Sequence, residues 1–306
     1  MLTPQAKPKD PVAPRPVSWR GIGEPQALSP RLVSFHDSSL ESHLSKEKSG
    51  SRLSVASFKR HQLAGFEQDE VQEAFGGRGL ITNVLGVIGD GKEATVYCCE
   101  ADPRAGVELL AAKVYRAQKF RAFERATLYA GERVVLDKRA GRAMKARSKT
   151  GRRMAHHAWI QWEWETLCRL HDAGASVPKP IARSDDAILM EYIGTDEGPA
   201  PQLRHVDLDL ASAREVWERL LRDIEIFLDC HLVHGDLSAY NVLFDGSRPR
   251  VIDLPQSVDL HASHDGYERL RRDVRNLETY FARHSLSAGN FAERAWQRYR
   301  RGDLGR

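Results

Sequence analysis

The apolar positions of this chain follow two periods, one after the other. Between residues 80 and 115 the runs NVLGVI, ATVYCCEA and VELLAAKVY are short, rich in β-branched residues and separated by turns containing Gly or Pro. That pattern predicts strands. A 3.6-residue period takes over in WIQWEWETLCRL, 159–170, where Trp159, Ile160, Leu167 and Leu170 share one helical face. Pro178 and Pro180 close that segment, and AILMEYIG, 187–194, reads as a further strand running into a glycine. The second half is mainly helical. In VWERLLRDIEIFLDCHL the residues Val216, Leu220, Ile224, Phe227 and His231 form one stripe, and Tyr267, Leu270, Val274, Leu277 and Phe281 form another. Strands first and helices later predict an α+β protein of two lobes, with a hinge near 191–195.

Composition adds the boundaries. Half of the fourteen prolines lie in the first thirty residues, and serines and charges dominate from there to about Gly50. Such a segment buries too little apolar surface to offset its ordering entropy, so residues 1–55 are expected to be disordered. Residues 57–75 are expected to hold a short helix within a linker over 56–78, and Gly76 with Gly77 opens the folded region. The β-rich lobe then runs over 79–194 and the helical lobe over 195–306. Inside the first, 116–153 carries thirteen Lys and Arg against three acidic residues. It reads either as a solvated insertion or as a basic docking surface for acidic protein or RNA.

Charge and cysteines narrow the setting. A net charge of +4 is too mild to imply nucleic acid by itself. Cys98, Cys99, Cys168 and Cys230 show no C-x-x-C spacing, and the adjacent pair would point to opposite faces of a strand. A reduced, cytoplasmic setting fits that usage. The N-terminus lacks an apolar signal core, and no apolar run approaches about 18 residues, so neither secretion nor a membrane span is expected. His156 with His157, and His261 with His264, lack acidic or cysteine partners at ligand spacing, so no zinc site is expected.

Four separate features carry chemistry. IGDGKEATVY, 88–97, fits a loop that covers nucleotide phosphates: Gly89, Gly91 and Val96 match, and Ala94 stands for the third glycine. Small residues let backbone amides approach phosphate oxygens, although a plain hairpin turn at Asp-Gly explains the same letters. Lys113 sits inside the apolar strand AAKVY, where a role on the nucleotide's phosphates would need a helix carboxylate to steady it. Glu163 lies on the buried stripe of its helix and needs a cation. Each of these odd residues accounts for the other. Finally, HGDLSAYNVL and VIDLPQ place Asp236, Asn241 and Asp253 in an order suited to phosphoryl transfer. Asp236 would orient or deprotonate an attacking hydroxyl, and the oxygens of Asn241 and Asp253 would hold Mg²⁺ against ATP.

Together, IGDGKEATVY, AAKVY with its basic insertion, GASVPKPI leading to MEYIG, HGDLSAYNVL, VIDLPQSVD and RRDVRNLETYF resemble the RIO family of atypical serine/threonine protein kinases. The resemblance runs over roughly 79–283. It implies a protein-kinase-like two-lobed fold with a β-rich first lobe and a reduced helical second lobe. It implies that Asp236 accepts the proton, that Asn241 and Asp253 bind magnesium, and that Lys113 and Glu163 form an ion pair. Glu191 and Ile193 would meet adenine through the hinge backbone, with Met190 bordering the pocket. Gly91, Lys92, Glu93, Ala94 and Val96 would lie over the phosphates. Asp253 becomes a candidate for transient phosphorylation, with chemistry a carboxylate beside the γ-phosphate allows. The acceptor would be a protein or the chain itself, and 116–153 would offer a surface to ribosomal RNA or assembly factors.

Two departures from ordinary protein kinases stand out. Gly235 replaces the arginine expected before the catalytic aspartate, and the 53 residues after Asp253 hold no A-P-E motif. Both argue against the usual peptide platform and phosphorylation switch. A small-molecule phosphotransferase of the aminoglycoside or choline type shares the HGD loop and is one alternative. Against it stand Leu237 and Ser238, Pro255 and Gln256, and the basic insertion. A nucleotide-responsive binding module is the other alternative.

Overall fold

The computed structural model describes residues 65–116, 149–195 and 197–304. The tail expected over 1–55 and most of the basic segment lie outside them. The described residues open on helix α1 (Gly65–Val71), which runs into a π turn (Gln72–Gly76). The π turn buries Phe75 completely against the first sheet.

That sheet has five antiparallel strands in the order β1-β2-β3-β5-β4. They are β1 (Ile81–Asp90), β2 (Ala94–Ala101), β3 (Leu109–Tyr115), β4 (Pro180–Arg183) and β5 (Ala187–Glu191). Alternation along the strands gives the sheet two distinct faces. Tyr97, Cys99 and Ala101, with Leu110, Ala112, Val114 and Leu189, build one small core capped by Val71 and Phe75. Ala94, Tyr115 and Ile188 face the other way and join the larger core of the molecule. Lys113 sits between Ala111 and Tyr115 on that second face, opposite Ile188 of β5.

Helix α2 (Lys149–Asp172) links the two halves. Among the described residues it already runs from Lys149, ten residues before the expected start and inside the basic segment, so 149–153 are helical. The sequence there, KTGRRMAHHA, has no apolar stripe. Tertiary packing decides the matter, since Ala155 and His156 are buried and His156 Nε2 bonds Asp186 at 2.9 Å. Further on, Trp159, Ile160, Glu163, Leu167 and Leu170 form the buried stripe, and Glu165 faces out to Gln161.

After β5 comes a hairpin of two short strands, β6 (Gly194–Thr195) and β7 (Gly198–Pro199). The second half holds α3 (Leu210–Asp229), α4 (Gly266–Phe281) and α5 (Phe291–Arg301). Asp209 caps α3 by accepting the Ser212 N–H at 2.8 Å. Trp217 of α3 meets Phe281 of α4 with ring centroids 5.0 Å apart. His231 is not on the helical stripe where periodicity puts it. Helix α3 stops at Asp229, and His231 takes a left-handed φ of 51° before β8 (Leu232–Val233). Two small hairpin sheets complete the lobe: β9 (Val242–Phe244) with β10 (Pro249–Val251), and β11 (Val258–Asp259) with β8. Among the described residues no helix is long and apolar enough to cross a membrane.

Cys98 and Cys99 are both fully buried, and burial pushes each thiol up to about 12. A thiol reacts through its thiolate, so both should be inert near neutrality. We predict that a chromogenic disulfide reagent leaves Cys98 and Cys99 untouched in native protein and modifies them on denaturation, as read by peptide mass mapping.

Candidate active site

Between the sheet and the helical lobe lies a cleft of about 920 Å³. Its ceiling is the β1–β2 hairpin. The Gly91 N–H bonds the Ala94 carbonyl at 2.9 Å, closing the turn. Arg116, the residue after β3, donates to the Gly91 carbonyl at 2.9 Å and to Thr95 Oγ1 at 2.6 Å, and it also pairs with Asp90. The loop over the cleft is therefore tied from behind by a guanidinium that sequence reading assigned to the basic segment. Lys92 is exposed and Glu93 half-buried at the tip. Burial, and then the negative charge of Asp253, raise the Glu93 carboxyl above its ordinary range.

Lys113 and Glu163 do meet. Lys113 Nζ lies 2.7 Å from Glu163 Oε1 and 3.0 Å from Asp253 Oδ1. The lysine and glutamate side chains are only 13% and 6% exposed, whereas Asp253 is 46% exposed. Burial pulls the lysine down, but the two carboxylates outweigh it and raise its pKa, so it stays an ammonium. Burial, with Asp253 adding to it, raises the Glu163 carboxyl above its ordinary range, against the pull of Lys113. Its second oxygen accepts the Tyr115 hydroxyl at 2.5 Å, a hydrogen bond that works with Lys113 against that rise. Asp253 lies below the usual carboxylate range, chiefly because Lys113 faces it.

The opposite wall carries the HGD loop. Asp236 is exposed to the cleft, and Asn241 Nδ2 donates to the Asp236 carbonyl at 2.9 Å. That bond occupies the amide nitrogen and leaves the Asn241 side-chain oxygen to serve a cation. With the ionised Asp253, the donors are hard oxygens, which fits magnesium. His234 Nε2 donates to the Ile252 carbonyl at 3.0 Å, and its Nδ1 accepts the Asp236 N–H at 3.3 Å. The Ile252 N–H in turn reaches the Asn241 carbonyl at 2.9 Å. The HGD loop and the Asp253 segment are thus bonded to each other in both directions.

Two features hold this loop in shape. Gly235 has a φ of +79°, and a Cβ there would stand 2.6 Å from the Gln256 carbonyl oxygen. Only glycine meets both conditions. Asp273 of α4, 1% exposed, accepts the Gly235 N–H at 2.7 Å and the Leu237 N–H at 3.0 Å. Arg272 donates to the Gly235 carbonyl, and Asn276 Nδ2 to the Leu237 carbonyl at 3.1 Å. Sequence reading missed Asp273. The signal was present, because Asp273 shares the buried stripe of Leu270 and Leu277 as Glu163 shares that of Ile160 and Leu167.

At the hinge, Met190 and Glu191 end β5 and Ile193 is buried; all three line the cleft. The Ile193 carbonyl accepts the Ala200 N–H at 2.9 Å, so the group Ile193 has left to offer a base is its N–H. Glu191 Oε2 accepts the Lys179 N–H at 3.0 Å, and its other oxygen lies 3.6 Å from buried Arg250. Gly89 is an ordinary strand residue opposite Val96, and a Cβ there would meet Val96 at an unstrained 3.6 Å. Every residue singled out from the sequence for nucleotide, metal or catalysis lies on this one cleft.

Residues 95–294 match the family model described as the RIO domain. The chain is 33% identical over 211 residues to human serine/threonine-protein kinase RIO1, covering 69% of this chain and 35% of that protein. It is 34% identical over 128 residues to a RIO-type kinase of Thermoplasma acidophilum, covering 42% of this chain and 66% of that one. Among solved structures, the Rio2 kinase–ADP/Mg²⁺–phosphoaspartate complex from Chaetomium thermophilum aligns with a TM-score of 0.55 at 21% identity. The alignment covers 78% of this chain and 66% of that one. The chain spans between 35% and 41% of the length of the eukaryotic RIO1 proteins it matches.

Replacing Asp273 by Asn keeps the shape but leaves one acceptor oxygen for two buried N–H groups. We predict a stability loss of about 1–3 kcal/mol, the cost of one buried unsatisfied donor, read from urea denaturation.

Proposed function

The chain belongs to the RIO family, and from that premise we propose that it transfers the γ-phosphoryl group of ATP, with Mg²⁺, to a serine or threonine hydroxyl. The observation that carries this reading is the buried ammonium of Lys113. It is held between Glu163 and Asp253 at 2.7 and 3.0 Å, across the cleft from Asp236 and Asn241. Lys113 binds the α- and β-phosphates, and Glu163 fixes where its ammonium stands. Gly91, Lys92, Glu93, Ala94 and Val96 lie over the phosphates, while the hinge beside Met190 receives adenine through Glu191 and Ile193. Asp236 orients the acceptor hydroxyl and takes its proton as the oxygen attacks phosphorus, while the bond to the bridging oxygen breaks and ADP leaves with its electron pair. Asn241 and Asp253 would hold magnesium, which when bound would offset the charge of the phosphates. Family membership weighs against the small-molecule phosphotransferase reading.

A second route uses Asp253 itself. Its carboxylate is ionised and nearly half exposed. A Rio2 structural neighbour is described as a phosphoaspartate complex. In this route an Asp253 oxygen attacks the γ-phosphorus, the bond to the bridging oxygen breaks, and ADP leaves with that electron pair. Water then hydrolyses the acyl phosphate. The chain would in this mode serve as a nucleotide-driven switch. We further propose that 116–153, with twelve basic residues besides the loop-tying Arg116 against three acidic, is a contact for RNA or an assembly partner. The four cysteines, none of them in a disulfide, support a reducing, cytoplasmic setting.

Single-turnover labelling with γ-labelled ATP separates the routes. Label stable to acid and hydroxylamine places phosphate on Ser or Thr; hydroxylamine-labile label that disappears in Asp253→Asn places it on Asp253. Asp236→Asn should lower transfer to a hydroxyl by about 10²–10⁴-fold while nucleotide binding persists. Transfer undiminished by that substitution would exclude Asp236 as the proton acceptor.

A further inference from the structure

Strand β3 delivers two side chains, not one, to the buried carboxyl of α2. Lys113 and Tyr115 are two residues apart on a strand and so share its face. Trp159 and Glu163 are four apart on a helix and so share its stripe. The two faces meet at three contacts. Lys113 Nζ reaches Glu163 Oε1 at 2.7 Å, and the Tyr115 hydroxyl reaches Glu163 Oε2 at 2.5 Å. The Tyr115 ring packs edge-on against Trp159, with centroids 5.2 Å apart and planes at 76°. The same ring lies 5.3 Å from the lysine ammonium. Tyr115 therefore touches Lys113 with its face, Trp159 with its ring and Glu163 with its hydroxyl.

We propose that Tyr115 is a positioning residue for phosphoryl transfer, holding Glu163 so that its other oxygen stays aimed at Lys113. The proposal rests on the reading of Lys113 as the nucleotide-holding lysine. An ion pair alone leaves a carboxylate two ways to present itself, since either oxygen can face the ammonium. With one oxygen taken by a phenol on the same strand, a single presentation remains. The hydroxyl bond also does not depend on Lys113. When phosphates draw the ammonium forward, Tyr115 keeps the carboxylate and its helix in place.

The test is a double-substitution cycle on kcat/KM for MgATP using Tyr115→Phe, Glu163→Gln and the two combined. Phe keeps the ring and its packing on Trp159 and removes only the hydroxyl. Tyr115→Phe alone should lower kcat/KM by about 10-fold, as loss of a charge-assisted hydrogen bond implies. In the Glu163→Gln background the same change should cost less than about 2-fold, because the carboxylate through which the hydroxyl acts on Lys113 is already gone. Equal losses in both backgrounds, or no loss in either, would overturn the proposal. A second measurement needs neither turnover nor the Phe variant. The ¹³Cζ resonance of Tyr115 in the labelled, otherwise native chain should shift on Glu163→Gln, and an unmoved resonance would sink the idea. Lys113→Ala with undiminished turnover would instead refute the nucleotide role of the lysine, and the resonance would still report on Tyr115 and Glu163.

Discussion

A single buried carboxylate organises this molecule. Glu163 sits on the apolar stripe of α2, 6% exposed, where an unpaired charge is untenable. Its partner must come from another element, and β3 supplies it with Lys113. The pair thus does what apolar packing does elsewhere, fixing the register of a helix against a sheet, but with one allowed alignment instead of several. Removing one partner from a buried pair costs about 3–5 kcal/mol, more than most single core contacts. Because the ammonium also reaches Asp253, the alignment of the first lobe is transmitted directly to the segment that would carry the metal.

The other wall of the cleft also depends on a buried acid. Asp273 is satisfied by two backbone N–H groups of the HGD loop. Burial raises this carboxyl, while His234 and those N–H groups work to lower it. One acid thereby sets the loop's path, and Gly235 permits it to pass within contact of Gln256. The arginine usual in protein kinases could not occupy this position. The residue that looks like a loss in the sequence is a condition of the backbone here.

How much of this the sequence disclosed follows from what each residue needs. Lys113 and Glu163 were legible because each is anomalous in its own element. That Asp236, Asn241 and Asp253 meet on one cleft was legible because spacing within one loop and one strand end survives folding. Asp273 carried the same anomaly as Glu163 and was still overlooked, hidden among the charges of RRDVRNLETYF. Tyr115 gave no signal, since a tyrosine closing a strand is ordinary until its hydroxyl finds a partner. The helical part of α2 ahead of Trp159 was hidden because its turns there are polar and depend on contacts made by Ala155 and His156. His231 misled because periodicity continues in the letters after the helix has ended.

The segment after Asp253 has a last implication. Asp253 adopts a left-handed backbone, Pro255 stands in the 3₁₀ turn that follows, and the Trp162 indole holds the Ser257 carbonyl at 3.2 Å. The Gln256 carbonyl is lodged against Gly235, and the Ile252 N–H is bonded to Asn241. An inhibitor could in principle gain selectivity by prising such a segment outward and filling the space it leaves. Here the segment is pinned on both sides of the aspartate, and no glycine follows it to act as a pivot. Selective ligands for this cleft would have to find their contacts at the hinge, in the neighbourhood of Met190 and Ile193.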